Sequence, residues 1–247
     1  MIESDINKNT YIIRINRPKV NAIDSETLIA LEDQIKKAIQ EEETNSILIT
    51  GEGSFFSFGL DIPSFLKLNR ADLKSSIHRL LNICKTLYLT NKVTISAING
   101  HATGGGCMLA ISTDFRLMVD QRAKIALNEI NIGVSLFSST IAILRNSIGL
   151  NKAKKFLLSG ELISAVSAKD IGLVDELYPK DELFNKSVEF ANTFENKNPL
   201  IIENMKQELM KLPSKELNDS DESIEKFLDI FYLPETQKIL EGIKIKK

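Results

Sequence analysis

Apolar residues in this chain occur either in short, mostly apolar segments or at helical spacing. The short segments predict strands at residues 11–15, from 47, and at 93–98, 115–119, 124–127 and 173–177. Helical spacing predicts a helix over 25–43, capped near Asp24, with Leu28, Leu31, Ile35 and Ile39 on one face. A second helix is predicted over 71–89, with Leu73, Ile77, Leu80, Leu81, Cys84 and Leu87 on its buried face.

After about residue 180 the pattern becomes helical throughout. Candidate helices cover 181–195, 199–212, 219–231 and 234–243, with breaks near Pro213 and Pro234. Strands separated by helices and short turns are typical of an α/β architecture. We therefore expect an α/β core followed by a helical region.

Composition narrows the function classes. The 247 residues are enough to bury a sizeable core. Lys plus Arg number 31 against 33 Asp plus Glu, so no general field attracts a polyanion, and no nucleic-acid partner is expected. Two cysteines and two histidines favour neither a disulfide framework nor a metal site. The first residues lack the pattern of a secretory signal, and no apolar run reaches the roughly 18 residues of a membrane span, so we expect a cytoplasmic protein.

A glycine triplet, residues 104–106, separates the apolar run 93–98 from a second run that begins at Cys107. This order predicts a strand, a turn and a helix start, whose free N–H groups suit a group that carries or develops negative charge. The same glycines also arise where a strand and a helix merely pack closely. A second strand and turn of related character covers 47–62. One N–H group from each turn would form an oxyanion hole for a thioester carbonyl.

At this point the sequence resembles the crotonase family, the enoyl-CoA hydratase/isomerase superfamily. The resemblance rests on residues 56–62 (FSFGLDI), 97–107 (AINGHATGGGC) and 17–23 (RPKVNAI), with weaker matches at 114–116 and 168–175. It implies a crotonase-type spiral of repeated strand-strand-helix turns over 1–190 and a C-terminal helical region over 191–247 that packs on the core and supports oligomerisation.

The family resemblance also implies partners and site residues. The substrate would be an acyl-CoA thioester, with no separate cofactor because CoA is part of the substrate, and the assembly a homotrimer or a dimer of trimers. The N–H groups of Leu60 and Gly105 would form the oxyanion hole. Further substrate-binding positions carried over by the resemblance are Ala22, Ser57, Gly59, Asp61, Ile62, Gly104 and Met108.

Two positions separate the reactions within this family. Hydratases use one glutamate just after the glycine turn and a second on the next strand and turn; here Met108 takes the first position and Glu129 the second. One carboxylate does not orient water as two do, but it can move a proton. The segment 127–133 and the loop 134–139 also look like the Δ3,Δ2-enoyl-CoA isomerase branch. Without the resemblance, Glu129 reads equally as a solvated carboxylate at a strand end.

The leading hypothesis is therefore an enoyl-CoA isomerase. A hydratase, another lyase or a decarboxylase stays open, because one oxyanion hole serves many reactions. A third hypothesis is a catalytically weakened CoA-binding or RNA-associated protein. Asp114 and His101 are interpreted as structural residues. Aromatic and apolar residues that line an acyl channel or pack in the core are Phe56, Phe58, Phe65, Leu66 and Phe137.

Overall fold

The computed structural model describes residues 2–17, 19–217, 219 and 221–245. Its strands are β1 (Ile2–Asn7), β2 (Thr10–Ile15), β3 (Ala22–Ile23), β4 (Ser46–Gly51), β5 (Phe55–Ser57), β6 (Gly59–Leu60), β7 (Val93–Ile98), β8 (His101–Thr103), β9 (Phe115–Val119), β10 (Lys124–Ala126), β11 (Ile163–Ser164) and β12 (Glu176–Tyr178).

Its α-helices are α1 (Ser25–Gln40), α2 (Ile62–Phe65), α3 (Arg70–Leu89), α4 (Gly105–Ile111), α5 (Ser138–Ile148), α6 (Leu150–Ser159), α7 (Ala165–Asp170), α8 (Lys180–Asn192), α9 (Pro199–Met210), α10 (Asp221–Phe231) and α11 (Pro234–Glu241). Two 3-10 turns cover Glu129–Ile132 and Pro213–Glu216.

Three sheets position the site. The largest has the order β1-β2-β4-β7-β9-β12 and is parallel except for β1, which runs antiparallel to β2. A second sheet has the order β11-β10-β8-β5, and β3 pairs with β6 in a third. Strands β4 and β7 of the first sheet lead directly into β5 and β8 of the second. Each unit of two strands therefore turns the chain from one sheet to the next before a helix follows.

The apolar runs explain the central strands. All six residues of β4 and all six of β7 are buried, as expected for parallel strands covered on both faces. The predicted face of α3 is buried at all six positions. In α1, Asp24 caps the first turn through Thr27 N–H at 2.8 Å, as predicted. The sequence-based strands and helices in this part of the chain are therefore confirmed.

Several predicted boundaries differ from the structure by a few residues, and two of these differences have a visible cause. The strand predicted over 173–177 begins only at Glu176, because the N–H groups of Leu173 and Val174 donate to Ala168 O and close the turn after α7. The helix predicted over 25–43 ends at Gln40. Lys92 Nζ donates to the carbonyl of Ala38 at 2.7 Å, so a distant side chain satisfies the end of this helix.

The helical region is joined to the core by charge as well as by packing. Helix α8 packs on the large sheet, and Phe190 lies 4.9 Å from Phe115 between ring centroids. In α9, the buried Lys206 pairs with Asp114 at 2.5 Å, and Asp114 also accepts from Thr94 N–H at 2.8 Å. The proposed boundary at residue 190 falls inside α8 and stays a prediction. Among the described helices, none combines the length and the apolar character needed to cross a lipid bilayer.

Candidate active site

Two turns bring backbone N–H groups toward one point. Asp61 N–H donates to Ile23 O at 2.8 Å, so it points toward β3. Because successive N–H groups of a strand point to opposite sides, Leu60 N–H points away from β3 and toward the start of α4. Gly105 is the first residue of α4, so its N–H has no acceptor within that helix. Leu60 and Gly105 line one cavity, and the use of their N–H groups as one oxyanion hole stays a prediction.

The two turns are also close together. A Cβ added to Gly105 would lie 3.6 Å from the backbone nitrogen of Leu60 and 3.6 Å from Leu80 Cδ2. A Cβ on Gly106 would lie 2.3 Å from Ser57 O, a contact that no side chain tolerates. Glycine at 106 is thus required for α4 to approach the β5–β6 turn. This close packing was one reading of the glycine triplet, and it is present together with the exposed N–H groups.

Four of the predicted binding residues form the support of this turn. The side chain of Ser57 donates to Asn21 O at 2.7 Å and accepts from Gly59 N–H at 3.1 Å. Gly59 has a φ of 95°, and a Cβ there would lie 2.6 Å from Thr103 O. Ala22 is fully enclosed in β3, where it pairs with Gly59.

Asp61 holds the same turn through its carboxylate. It accepts from Ser64 N–H at 3.2 Å and pairs with Arg17 Nη2 at 2.7 Å, while Arg17 also pairs with Asp24 at 2.9 Å. The side chains of Ala22, Ser57 and Asp61, and the backbone of Gly59, lie behind the cavity wall and do not line it. Their contact with substrate stays a prediction. Arg17 was not singled out from the sequence, although it stands in the quoted 17–23 motif.

Glu129 lies beside the glycine turn and lines the same cavity. It begins the 3-10 turn that follows β10, and its side chain is directed to Gly104, whose added Cβ would lie 3.6 Å from Glu129 Oε1. Glu129 is 9% exposed, and its Oε2 has no hydrogen-bond partner among the described residues. A buried oxygen without a partner is rare in a folded protein, and its place on a cavity gives it access to a bound ligand. The alternative interpretation, in which Glu129 is a solvated carboxylate at the end of a strand, is therefore wrong.

Burial alters the acidity of this carboxyl group. Desolvation raises the pKa of Glu129 from 4.5 to about 7. A hydrogen bond from its own backbone lowers the pKa, but by less than desolvation raises it. A pKa near neutrality lets a carboxyl group both accept and return a proton. Glu129 is therefore suited to proton transfer at physiological pH.

A cavity of about 310 Å³ opens between Glu129 and the two turns. Six of the ten predicted site residues line it: Leu60, Ile62, Gly104, Gly105, Met108 and Glu129. Met108, at 3% exposure, gives the wall beside Glu129 a thioether in place of a second carboxylate. Apart from Glu129, the described residues that line the cavity carry no ionisable side chain. The cavity therefore offers one acid–base group in an apolar surrounding.

Other candidates have structural contacts. His101 Nδ1 accepts from Lys124 N–H at 3.2 Å, and its ring lies 4.9 Å from the Phe55 ring. Asp114 is paired with Lys206, so both structural interpretations are confirmed. Of the aromatic and apolar candidates, Phe58, Phe65 and Phe137 line the cavity, whereas Phe56 and Leu66 do not.

Sequence reasoning missed the residues that complete the cavity wall. Leu73, Ile77 and Leu80 were predicted as a buried helix face, but their position on a cavity was not. Phe227 and Phe231 come from α10, far along the chain from both turns. Helical periodicity in the sequence predicts that these residues lie on an apolar helix face. It does not predict which part of the protein that face packs against.

Comparisons with known proteins agree with this geometry. The profile of the family "Enoyl-CoA hydratase/isomerase" matches residues 5–244. The 2,3-dehydroadipyl-CoA hydratase of Escherichia coli K12 is 30% identical over 204 residues, which cover 82% of this chain and 78% of that protein. The mitochondrial enoyl-CoA delta isomerase 1 of Mus musculus is 29% identical over 189 residues, which cover 76% of this chain and 65% of the isomerase.

A solved structure supports the same architecture. The human mitochondrial delta3-delta2-enoyl-CoA isomerase superposes with a TM-score of 0.91 and 23% identity, over 97% of this chain and 95% of that one. This likeness confirms the expected α/β spiral fold. Because hydratases and isomerases are both similar to the chain, the comparisons do not select one reaction. The match over 240 residues and the 30% identity to a curated relative show that the chain belongs to the enoyl-CoA hydratase/isomerase family.

Proposed function

We propose that this protein is an enoyl-CoA isomerase that moves a double bond of an acyl-CoA thioester from the 3,4 to the 2,3 position. The observation that carries the proposal is Glu129, a buried carboxyl group whose Oε2 has no partner among the described residues, in an apolar cavity that Leu60 and Gly105 also line. The chain is an acyl-CoA-processing enzyme of its family. The choice of reaction rests on the side chains that line this cavity.

The backbone donors supply the electrostatic part of the reaction. A thioester carbonyl placed between Leu60 N–H and Gly105 N–H accumulates negative charge as the α proton leaves. Preorganised donors stabilise this enolate oxygen more than the neutral carbonyl, which lowers the barrier. The start of α4 adds a favourable helix-terminal field. This arrangement makes the α proton acidic enough for a carboxylate to remove.

Glu129 supplies the proton transfer. Its carboxylate takes a proton from C2 of the 3-enoyl group, and the electrons of that C–H bond form the C1–C2 double bond of a dienolate whose charge lies on the carbonyl oxygen. When C4 is then protonated, the carbonyl re-forms, the C2–C3 double bond forms and the C3–C4 double bond becomes a single bond. The same carboxyl group returns the proton to C4, so no other acid and no water is consumed. A pKa of about 7 matches both half-reactions.

Met108 favours isomerisation over hydration. Addition of water needs groups that orient and deprotonate the water, and the resemblance assigns this work to two glutamates in hydratases. A thioether accepts hydrogen bonds weakly and does not ionise. The water-handling pair is therefore incomplete, whereas intramolecular proton transfer needs Glu129 alone.

Parallel incubations test the reaction. The purified protein is given a 3-enoyl-CoA in one sample and a 2-enoyl-CoA in another, and products are separated by chromatography. We expect conversion of the first to the conjugated 2-enoyl-CoA and little water addition to the second. Water addition at a rate that matches or exceeds isomerisation would assign a hydratase. Binding of both thioesters without turnover would favour the non-catalytic hypothesis.

A further inference from the structure

The cavity has an open end and a closed end, and helix α3 connects them. Leu80 lies beside Gly105, where an added Cβ would meet Leu80 Cδ2 at 3.6 Å. Ile77 and Leu73 follow on the same face of α3 toward its start, and both line the cavity. Since a helix rises about 1.5 Å per residue, Leu73 lies roughly 10 Å beyond Leu80. Helix α3 is thus a wall that leads away from the two turns.

Helix α10 closes the far end of this wall. Arg70, at the start of α3, pairs with Glu225 and with Asp229, each at 2.6 Å, which fixes α10 across the first turn of α3. Phe227 and Phe231 flank Asp229 in sequence, line the cavity and are 5% and 2% exposed. The mouth lies elsewhere, at Phe58 and Leu162, which are 37% and 42% exposed.

The length of this wall limits the chain that fits. A zigzag of carbon–carbon bonds of about 1.5 Å advances about 1.3 Å per bond, so roughly eight bonds span the 10 Å wall. The wall therefore fits a medium-length chain that ends against Phe227 and Phe231.

The closed end also restricts polarity. Leu73, Ile77, Phe227 and Phe231 present hydrocarbon only, and none of the described residues that line the cavity is a lysine, arginine or histidine. A carboxylate at the end of an acyl chain would be buried there without a partner, which is strongly unfavourable. The relative from Escherichia coli is named for a dicarboxylic thioester, so the two proteins would differ in this respect.

We propose that the substrate of this enzyme is an uncharged enoyl-CoA of about six to ten acyl carbons, and that Phe227 and Phe231 set this upper length. This inference rests on the proposed function for the reaction that the enzyme catalyses. The length and charge of the acyl group are inferred from the cavity alone.

The first test uses the wild-type protein. Affinities of saturated acyl-CoAs with about 4 to 16 acyl carbons are measured by calorimetry. Turnover of 3-enoyl-CoAs is measured over the same chain lengths, which lie on both sides of the proposed limit. We expect affinity and kcat/KM to rise to a maximum at about eight carbons and to fall about tenfold or more by 14. A 3-enoyl-CoA of six carbons with a terminal carboxylate should be at least about tenfold poorer than its methyl-ended counterpart.

The second test enlarges the closed end of the cavity by shortening the side chain at position 231. Phe231→Ala should raise the kcat/KM ratio of the 14-carbon to the 8-carbon substrate by about tenfold or more. Leu228→Ala is the matched control, because Leu228 is buried on the same helix but does not line the cavity; its ratio should stay within about twofold of wild type. If Phe231→Ala does not fold, Phe231→Leu and the wild-type length series supply the same readout.

The outcomes separate the two proposals. Equal affinity and turnover at 8 and 16 carbons, equal use of the carboxylate-ended chain, or equal ratios in the Phe231 and Leu228 variants would overturn this inference and leave the isomerase proposal intact. A clear length optimum in calorimetry without turnover of any 3-enoyl-CoA would overturn the isomerase proposal and support the assigned acyl group.

Discussion

The backbone nitrogen of Leu60 lies 3.6 Å from the point at which a side chain on Gly105 would begin. Leu60 ends a two-residue strand and Gly105 begins a helix, and the two are joined by no continuous sheet. Their proximity places two N–H groups beside one cavity. The space in front of these groups is free because residue 105 has no side chain.

A methyl group at this position should reduce activity without unfolding the protein. The Cβ of Gly105→Ala has ordinary contacts, with its nearest neighbours at 3.6 Å, and the backbone there is helical. The methyl group would nonetheless occupy the space before Leu60 N–H. We expect kcat to fall by about a hundredfold, as for loss of one oxyanion donor, with an unchanged melting temperature. Gly106→Ala is the contrast, because its Cβ would lie 2.3 Å from Ser57 O and should prevent folding. Full activity of Gly105→Ala would contradict the assignment of the hole.

A thioester complex tests the same hole by geometry. In a crystal with a bound acyl-CoA, we expect the carbonyl oxygen at about 2.7 to 3.2 Å from both the Leu60 and the Gly105 nitrogens. A well-ordered thioester whose oxygen points away from both nitrogens would remove the basis of the mechanism.

Replacing Glu129 by glutamine should stop proton transfer and leave binding nearly unchanged. Glutamine preserves the shape of the side chain but cannot take a proton at neutral pH. We expect kcat to fall by about a hundredfold or more, with CoA-ester affinity within about twofold of wild type. Glu235→Gln, at an exposed glutamate of α11, is the control and should leave both kcat and CoA-ester affinity unchanged. Retention of more than about a tenth of wild-type turnover would show that another group moves the proton.

Glu129 should also make stability depend on pH. Its pKa is raised from 4.5 to about 7 on folding, so below pH 4.5 it is protonated in both the folded and the unfolded state. Between these values the unfolded chain releases its proton while the folded protein keeps it, and the free energy of unfolding falls as pH rises, reaching a plateau above about 7. Compared with wild type, Glu129→Gln should gain up to about 3 kcal/mol between pH 4 and pH 8. Denaturant titrations at both pH values measure this difference; parallel curves for the two proteins would argue against a buried, neutralised carboxyl group.

Met108 separates isomerisation from hydration. Met108→Glu should add hydratase activity toward crotonyl-CoA, provided that the new carboxylate shares a water molecule with Glu129. Met108→Leu is the matched control and should preserve the ratio of isomerisation to hydration, because it exchanges one apolar side chain for another of similar volume. The decisive measurement is the wild-type ratio. Hydration as fast as isomerisation would require a water-activating group other than Glu129.

The central fold could be predicted because its local patterns are unambiguous. Strands β7 and β9 match their predicted bounds, since each is a short, mostly apolar segment between polar residues. Strand β1 was missed because five of its six residues are exposed and it reads as a polar segment; only pairing with β2 makes it a strand. No prediction covered α5–α7, where Gly149, at a φ of 79°, is both the end of α5 and the start of α6.

The site could be predicted where family motifs are local, and less well where it depends on distant packing. The turn residues Leu60 and Gly105 and the acid Glu129 stand in recognisable segments, and the structure brings them to one cavity. The resemblance assigned the backbone of Asp61 to the substrate, and this stays a prediction. Its carboxylate pairs with Arg17, a contact that no local pattern reveals. The closed end was missed because the contact of α10 with α3 joins residues separated by more than half the chain.

The closed end of the cavity has a consequence for how the protein is made. Glu129 and both turns belong to segments that leave the ribosome before α10, and their sheets and helices can form as soon as they emerge. Phe227 and Phe231 arrive later, so the groove is first an open apolar channel and becomes a bounded chamber when α10 docks on α3. Until then the apolar lining of the channel is open to solvent. The helix proposed to limit the acyl length is therefore among the last parts of the cavity wall to be made, followed by Ile243.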